Sequence, residues 1–202
     1  MTTWLRALFN RWRRRLVHAL QFRIVFGERS RGRLLPHTRI SPSTCIEHED
    51  RLELADHVYI GPMCLIDSSG GVAIEEGVQI TSHVSIVTHS SHRALRLLGS
   101  AYATWPGERP GWIAGPVRIG AYSFIGPHTL IEAGADIGRG SIVRAGSVVR
   151  GRFPEFAVIE GRPARVVGDA RDGDRATLQR HPEAAPHYRA WTGGDPTEPP
   201  AR

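Results

Sequence analysis

An aliphatic residue that returns every six positions is the feature that most constrains the fold of this chain. The uninterrupted series is Ile119, Ile125, Ile131, Ile137, Val143 and Val149. The fourth residue after each of the first five is small, namely Ser123, Thr129, Ala135, Ser141 and Ser147. An α-helix has about 3.6 residues per turn and would scatter a period of six around its surface. A coil of short strands and sharp corners instead stacks the equivalent aliphatic residues and buries them, so the period predicts a solenoid.

The same period runs less regularly through the first half of the chain. Two earlier series occur, separated by two extra residues: Leu54, Ile60 and Ile66, and then Ile74, Ile80 and Ile86. Ile40 and Ile46 are candidates for the first turn of the coil. After Ile86 the period stops until Ile119, and residues 93–116, rich in Gly, Pro and Trp, are predicted to form a long protruding loop. Loops of this length inside a regular domain are uncommon and usually functional.

The arginine distribution marks a separate N-terminal segment. Residues 1–35 contain nine arginines and one acid, whereas the rest of the chain contains 17 arginines against 19 acids. The net charge of +6 therefore belongs to this segment, and we expect no nucleic-acid partner, since that would require basic residues over a folded face. We predict three parts: a basic amphipathic arm over 1–35, the solenoid domain over 36–168, and a C-terminal tail over 169–202. The tail should hold one short helix followed by a mobile stretch.

The arm has the periodicity of one amphipathic helix over residues 3–22. Its apolar side would carry Trp4, Leu5, Leu8, Phe9, Trp12, Leu16 and Leu20. Its other side is rich in arginine, which fits contact with an anionic membrane surface. A helix that packs on its own domain or on a neighbouring subunit would have the same pattern, so both interpretations stay open. No stretch is long and apolar enough to span a membrane, and no signal-peptide pattern occurs. We therefore expect a cytoplasmic protein, peripheral to the inner face of the membrane if the helix binds lipid.

Two stretches make a family resemblance recognisable. They are HVYIGPMCLIDSSGGVAIEEGVQITSHVSIVTHSSH and GPVRIGAYSFIGPHTLIEAGADIGRGSIVRAGSVV, the second closed by AVIEGRPARVV with Arg162 where an Asn is usual. Over roughly residues 40–168 the chain resembles the maltose and galactoside O-acetyltransferase branch of the hexapeptide-repeat acyltransferases. The resemblance implies an all-β fold, a left-handed parallel β-helix with three faces and 18 residues per turn. It also implies a homotrimer with its active sites between subunits, and acetyl-CoA as co-substrate.

The reaction that the resemblance implies is transfer of an acetyl group to a hydroxyl of a sugar or glycan, such as a polysaccharide precursor. The base in such members is a histidine just before the loop, and imidazole suits the task because its ordinary pKa is about 6.5. His89 and His92 stand on either side of Ser91, the position that the family register gives to the base. We favour His92, the last residue before the loop, as the base, with His89 supporting it or binding the acceptor. The opposite assignment stays open.

The substrate-binding candidates are also given by the resemblance. Asp67 follows Ile66 at the break in the register, where it could bind acceptor hydroxyls or orient a histidine. As part of DSSGG it could equally be a turn residue. The candidates on the CoA side are Phe124 against the pantetheine arm, the small groove residues Gly126, Ala145 and Gly146, and Arg150 and Arg165 for the phosphates. We name no metal ligand and expect no metal.

Three other functions stay open on the sequence. An N-acetyltransferase that acts on an amino sugar would carry the same motifs. A γ-carbonic-anhydrase-like metal enzyme uses the same prism with three histidines, although the segments typical of that group are missing here. A non-catalytic solenoid that only binds a partner is the third alternative. His83 and His128 are interpreted as surface or subunit-contact residues.

Overall fold

The computed structural model describes residues 3–193, which form a coil of short strands flanked by helices. The strands are β1 Glu28–Ser30, β2 Arg33–Leu35, β3 Arg39–Ile40, β4 Cys45–Glu47, β5 Leu52–Leu54, β6 Tyr59–Ile60, β7 Leu65–Asp67, β8 Val72–Ile74, β9 Gln79–Ile80, β10 Ser85–Val87, β11 His89–Ser90, β12 Ile113–Ala114, β13 Val117–Ile119, β14 Phe124–Ile125, β15 Leu130–Ile131, β16 Asp136–Ile137, β17 Ile142–Val143, β18 Val148–Val149, β19 Arg152–Phe153, β20 Ala157–Gly161 and β21 Ala164–Asp169. The helices are α1 Thr3–Val17, α2 His92–Leu98, α3 Ala170–Arg180 and α4 Ala185–Thr192. Shorter helical turns are the π-helix His18–Phe22 and the 3₁₀ segments Glu49–Arg51, Gly99–Tyr102 and Pro182–Ala184.

Each turn of the coil gives one strand to each of three parallel sheets. The first face has the order β4-β7-β10-β15-β18, and the second has the order β5-β8-β13-β16-β19. The third face runs β3-β6-β9-β14-β17-β20 and ends on β21, which pairs antiparallel with β20. The hairpins β1–β2 and β11–β12 stand outside these faces. The predicted solenoid of parallel strands is therefore confirmed, with helices at both ends.

The hexad residues form the core, because equivalent positions of successive turns are register partners. On the third face Ile40 pairs with Ile60, Ile60 with Ile80, Ile80 with Ile125, and Ile125 with Val143. The last four of these residues are fully buried, and Ile40 packs against them from the first turn. The prediction that the first turn begins at Ile40 is confirmed. Burial of this aliphatic column, at about 1.5–3 kcal/mol for each large side chain, is the main stabilising contribution to the coil.

The turns of the coil differ in length, and the difference is confined to one corner. Register partners Ile40 and Ile60 lie 20 residues apart, whereas Ile125 and Val143 lie 18 apart, which is the length that the resemblance implied. The two extra residues of each early turn fall between the first and second faces, within residues 48–51 and 68–71. Residues 88–116 interrupt the coil between the same two faces. We call these three segments together the insertion corner.

The interrupting segment has more secondary structure than the sequence predicted. Instead of a loop throughout 93–116, the chain forms α2 and a 3₁₀ turn, and then returns through β12, which pairs antiparallel with β11. Ala94 of α2 is fully buried. A helix of seven residues shows too few periods to be recognised against its Gly- and Pro-rich surroundings.

The C-terminal segment contains two α-helices where one was predicted. The ring of Trp191 in α4 lies 4.7 Å from that of Tyr122 and 5.8 Å from that of Phe156, both at corners of the coil. These aromatic contacts hold α4 against the coil, and neighbouring sequence alone could not reveal them. The rest of the predicted mobile tail, residues 194–202, lies outside the described residues.

The N-terminal helix has the predicted extent, since α1 and the π-helix together end at Phe22. None of its described residues is buried, and Trp4 and Trp12 expose 68% and 59% of their surface. The interpretation of a helix packed on its own domain is therefore wrong, and its apolar face is uncovered in the single chain. Among residues 3–193 no helix combines the length and the apolarity needed to cross a bilayer.

Candidate active site

The insertion corner brings Asp67, His89 and His92 into one region. Asp67 ends β7 and is the register partner of Val87, which ends β10. The pairing of these two strands is regular as far as Val87, so Thr88 and His89 follow directly beside Asp67. The parallel register, rather than any local motif, therefore places the carboxylate next to the histidine.

Asp67 is a buried carboxylate with a full set of donors. It is 4% exposed and accepts hydrogen bonds from the Ser69 backbone N–H at 2.9 Å, the Thr88 backbone N–H at 3.2 Å and the Thr88 hydroxyl at 3.1 Å. Burial raises the pKa of the Asp67 carboxyl, but the hydrogen bonds from Ser69 and Thr88 outweigh it and hold the pKa well below its ordinary value. Asp67 is thus ionised at neutral pH.

His89 is oriented by this carboxylate. Its Nδ1 lies 2.7 Å from Asp67 Oδ2 and 3.0 Å from the Ser69 hydroxyl. Because the ionised carboxylate can only accept, Nδ1 carries the proton of the shorter contact. The Nε2 atom makes no hydrogen bond with any residue between 3 and 193, and it is the nitrogen that a substrate could use. The Trp112 ring stacks on the imidazole at a centroid distance of 4.9 Å and an interplanar angle of 9°.

Close packing across two turns of the coil supports this arrangement. The Thr88 hydroxyl accepts from the Gly70 backbone N–H at 2.8 Å and donates to the Asp67 carbonyl at 3.0 Å. A Cβ at Gly70 would lie 2.9 Å from the Thr88 Cβ, which is too close for any other residue without a shift. The glycine in the DSSGG segment is therefore needed for the approach of Thr88, and Thr88 in turn fixes the carboxylate.

His92 has a different environment from His89. It is the first residue of α2, it is exposed, and its Nδ1 lies 2.7 Å from the Ser90 hydroxyl. Both histidines line a cavity of about 200 Å³ that opens beside β10. The lining residues are Val87, His89, Ser90, His92, Ile113, Glu132, Ala133 and Arg150. The cavity therefore joins both candidate bases to one of the predicted cofactor arginines.

The other predicted cofactor residues lie away from this cavity. Phe124 is 41% exposed on the third face, and Arg165 stands opposite Glu160 in the β20–β21 hairpin. Gly126 and Ala145 pack together at the corner between the third and first faces, where a Cβ on Gly126 would lie 2.6 Å from the Ala145 nitrogen. Gly146 follows at the same corner and accepts from Arg162 Nε at 2.5 Å. The structure thus brings Arg150 to the histidines and places the remaining candidates around the later turns.

Two residues of this region were missed by the sequence analysis. Trp112 was noted only as part of the loop, and Ser69 only as part of a turn sequence. A tryptophan between Gly111 and Ile113 gives no sign of which side chain it covers, because the contact joins residues 23 positions apart. Glu132, which faces the cavity from the fourth turn of the coil, carried no motif at all.

The hexad period, the three parallel faces and the interrupting segment together define a hexapeptide-repeat protein. Residues 113–151 match the family model described as bacterial transferase hexapeptide (six repeats). The chain is 29% identical over 143 residues to a probable acetyltransferase of Mycobacterium tuberculosis, covering 71% of this chain and 45% of that one. It is 28% identical over 138 residues to the galactoside O-acetyltransferase of Escherichia coli, covering 67% of this chain and 63% of that one.

A solved structure agrees with these sequence relatives. The structure of a galactoside acetyltransferase in complex with coenzyme A superposes with a TM-score of 0.54 at 26% identity, over 67% of this chain and 63% of that one. This chain belongs to the hexapeptide-repeat acyltransferase family, in the neighbourhood of the galactoside and maltose O-acetyltransferases. It spans about half to two thirds of the length of the curated relatives it matches.

Proposed function

We propose that this protein is an acetyl-CoA-dependent O-acetyltransferase that acts on a hydroxyl of a sugar or glycan. The single observation that carries the proposal is the contact between His89 and the buried, ionised Asp67 at the edge of a cavity. An orienting carboxylate, an imidazole with a free Nε2 and an adjoining pocket are what general-base catalysis at a hydroxyl requires. The names of the relatives, which are acetyltransferases, support the nature of the transferred group.

We assign the base to His89 rather than to His92, reversing the preference drawn from the sequence. His89 is half-buried and held by Asp67, Ser69 and Trp112, whereas His92 is exposed and contacts Ser90 alone among the described residues. A base must be held in a defined orientation, because misplacement of the proton acceptor reduces the rate. His92 lines the same cavity and is suited to hydrogen-bond the acceptor.

The chain's own residues would carry the reaction as follows. His89 Nε2 takes the proton of the acceptor hydroxyl while its oxygen bonds to the thioester carbonyl carbon. Asp67 remains ionised, keeps the Nδ1 proton in place and stabilises the imidazolium that forms. The carbon–sulfur bond then breaks, and His89 returns the proton to the departing thiolate, which leaves an acetyl ester and free CoA.

The later turns of the coil fit the co-substrate. Gly126 and Ala145 keep one corner of the coil narrow, and Phe124 presents an exposed ring on the adjacent face, so a long flexible chain could lie along it. Arg150 faces the histidine cavity and Arg165 lies near the end of the coil, and both offer charge-assisted hydrogen bonds to phosphates. The coenzyme A in the solved relative supports this class of ligand.

We further propose the left-handed winding and the homotrimer that the family implies. Exposed apolar residues on the third face, among them Phe124, Ile142 and Val166, provide a surface for a neighbouring subunit. Sedimentation should therefore give a particle of about 67 kDa, three times the 22.3 kDa of one chain. A fully active monomer at assay concentrations would contradict a site built between subunits.

The acceptor is proposed to be membrane-associated, such as a lipid-linked glycan. The uncovered aromatic face of α1 and its arginines would lie at an anionic bilayer surface. Deletion of residues 1–25 should abolish co-sedimentation with vesicles that contain an anionic lipid, and Trp12→Ala should weaken it. Vesicles of neutral lipid are the control and should bind less. Unchanged binding after the deletion would assign the helix to a protein contact.

The test of the activity is a thiol-release assay with acetyl-CoA and a panel of sugars, amino sugars and lipid-linked glycans. We expect release of free CoA that depends on a hydroxyl acceptor, with an ester as product. A product that resists mild alkaline hydrolysis would indicate an amide and favour the N-acetyltransferase alternative. Loss of activity on chelation, with bicarbonate formation from CO₂, would favour the metal enzyme. Absence of turnover with tight ligand binding would favour a binding module.

A further inference from the structure

A second cluster of ligating side chains lies at the opposite side of the coil from the histidine cavity, where the first two turns meet. His37 precedes β3, and Asp56 and His57 precede β6. We propose that His37, Asp56 and His57 form a binding site for a divalent transition-metal ion such as Zn²⁺. This departs from the sequence analysis, which named no metal ligand.

The geometry already brings the three side chains together. One imidazole nitrogen of each histidine and one carboxylate oxygen all lie within 4.8 Å of one another. The two rings stack at a centroid distance of 4.4 Å with an interplanar angle of 2°, and His37 Nδ1 lies 2.9 Å from Asp56 Oδ2. Zinc binds at about 2.0–2.2 Å from nitrogen and oxygen ligands. The remaining approach needs only small rotations of two imidazoles that are both exposed.

The carboxylate is fixed while the imidazoles are free to adjust. Asp56 Oδ1 accepts from the His37 backbone N–H at 2.9 Å and from the Thr38 hydroxyl at 3.1 Å, which leaves Oδ2 directed to the imidazole. Although burial raises the pKa of the Asp56 carboxyl, the hydrogen bonds from His37, His57 and Thr38 lower it well below its ordinary value. An ionised oxygen is therefore present, and a metal ion would replace the proton that it shares with His37.

The ligand set selects the class of ion. Two imidazoles and one carboxylate suit Zn²⁺ and its neighbours in the first transition series, whereas Mg²⁺ and Ca²⁺ prefer oxygen ligands. Three protein ligands leave a fourth position for water. The ion would join the first turn of the coil to the second, since His37 and Asp56 are 19 residues apart, and would stabilise the end of the coil from which the N-terminal arm departs.

The chain contains a matched control in a second stacked pair. The rings of His83 and His128 lie 4.8 Å apart with an interplanar angle of 11°. Within residues 3–193 no third ligand completes a metal-binding group with them. His57 and His83 also share a backbone in the left-handed region, with φ of 62° and 59°. Asparagine tolerates that conformation, so His57→Asn and His83→Asn are equivalent changes in backbone and ring stacking.

The experiment is isothermal titration of tag-free, chelator-treated full-length protein with ZnCl₂ and, separately, with MgCl₂. We expect one zinc site per chain in the wild type and in His83→Asn, no magnesium binding, and a zinc-dependent rise in Tm. Loss of a partner outside the ligand shell already costs about 10–100-fold in metal affinity, so loss of the ligand in His57→Asn should weaken zinc binding by at least about tenfold. Asp56→Asn, which retains the amide and hydroxyl contacts, should do the same.

Several results would overturn the proposal. They are no zinc binding by the wild type, equal affinity in His57→Asn and the wild type, and an equal loss in His83→Asn. If His57→Asn does not fold, as judged by circular dichroism without metal, His37→Ala removes an exposed ligand from outside the left-handed corner and replaces it in the comparison. Acetyl transfer by the zinc-free protein should be unchanged, so the outcome is independent of the proposed catalytic function.

Discussion

Replacement of His89 by alanine should lower kcat by about 10²–10⁴-fold, the usual contribution of a general base. The dissociation constant for acetyl-CoA should stay close to the wild-type value, because the lost interaction matters in the transition state rather than in co-substrate binding. The fold should be retained, since the half-buried side chain lies outside the aliphatic core and only the backbone of residue 89 pairs with Ala114. Steady-state kinetics and equilibrium binding would measure the two effects.

His92→Ala is the matched comparison, because it removes the other imidazole of the same cavity. We expect this variant to raise the acceptor KM and to reduce kcat far less than His89→Ala does, as for a residue that binds the acceptor. If instead His92→Ala is the inactive variant and His89→Ala turns over nearly normally, the base is His92, as the sequence alone favoured. Near-normal turnover of both variants would refute general-base catalysis at this corner.

Asp67→Asn should produce the second large loss, a reduction of kcat by about 10²-fold or more. The amide keeps the size of the side chain but can donate a hydrogen bond to His89 Nδ1, which favours the tautomer whose Nε2 carries the proton and cannot act as a base. Acetyl-CoA binding should change little, because Asp67 is 4% exposed and lies beneath the imidazole rather than along the later turns. Ser69→Ala, which removes only the second contact to Nδ1, is the control and should cost much less.

The same substitution has a signature in stability that a purely catalytic role would not have. The pKa of Asp67 lies below its ordinary value of 3.8 in the folded protein, so its ionised form stabilises the fold above about pH 4. That contribution is lost as the pH falls towards the folded pKa. Urea unfolding should therefore show a smaller drop in the free energy of unfolding between pH 7 and pH 3 for Asp67→Asn than for the wild type. An identical drop would mean that the carboxylate is not held by Ser69 and Thr88 as described.

The sequence by itself determined the coil and its core. A period of six can bury its aliphatic residues only if equivalent positions stack, so Ile80, Ile125 and Val143 had to become neighbours, and they are register partners. The extent of the N-terminal helix, residues 3–22, was likewise fixed by local periodicity. Both are repeated local patterns, and a repeated pattern averages out the ambiguity of any single residue.

Only the tertiary structure decided which histidine meets the carboxylate. Asp67 and His89 are 22 residues apart, and the turns of the coil vary between 18 and 20 residues, so counting along the chain could not place them. The regular pairing of β7 with β10 sets the contact, and the return of the interrupting segment through β12 brings Trp112 onto the imidazole. The cluster of His37, Asp56 and His57 arises in the same way, from stacking one corner on the next. Contacts of this kind depend on register and on the path of an insertion, both of which are set by packing over the whole coil rather than by neighbouring residues.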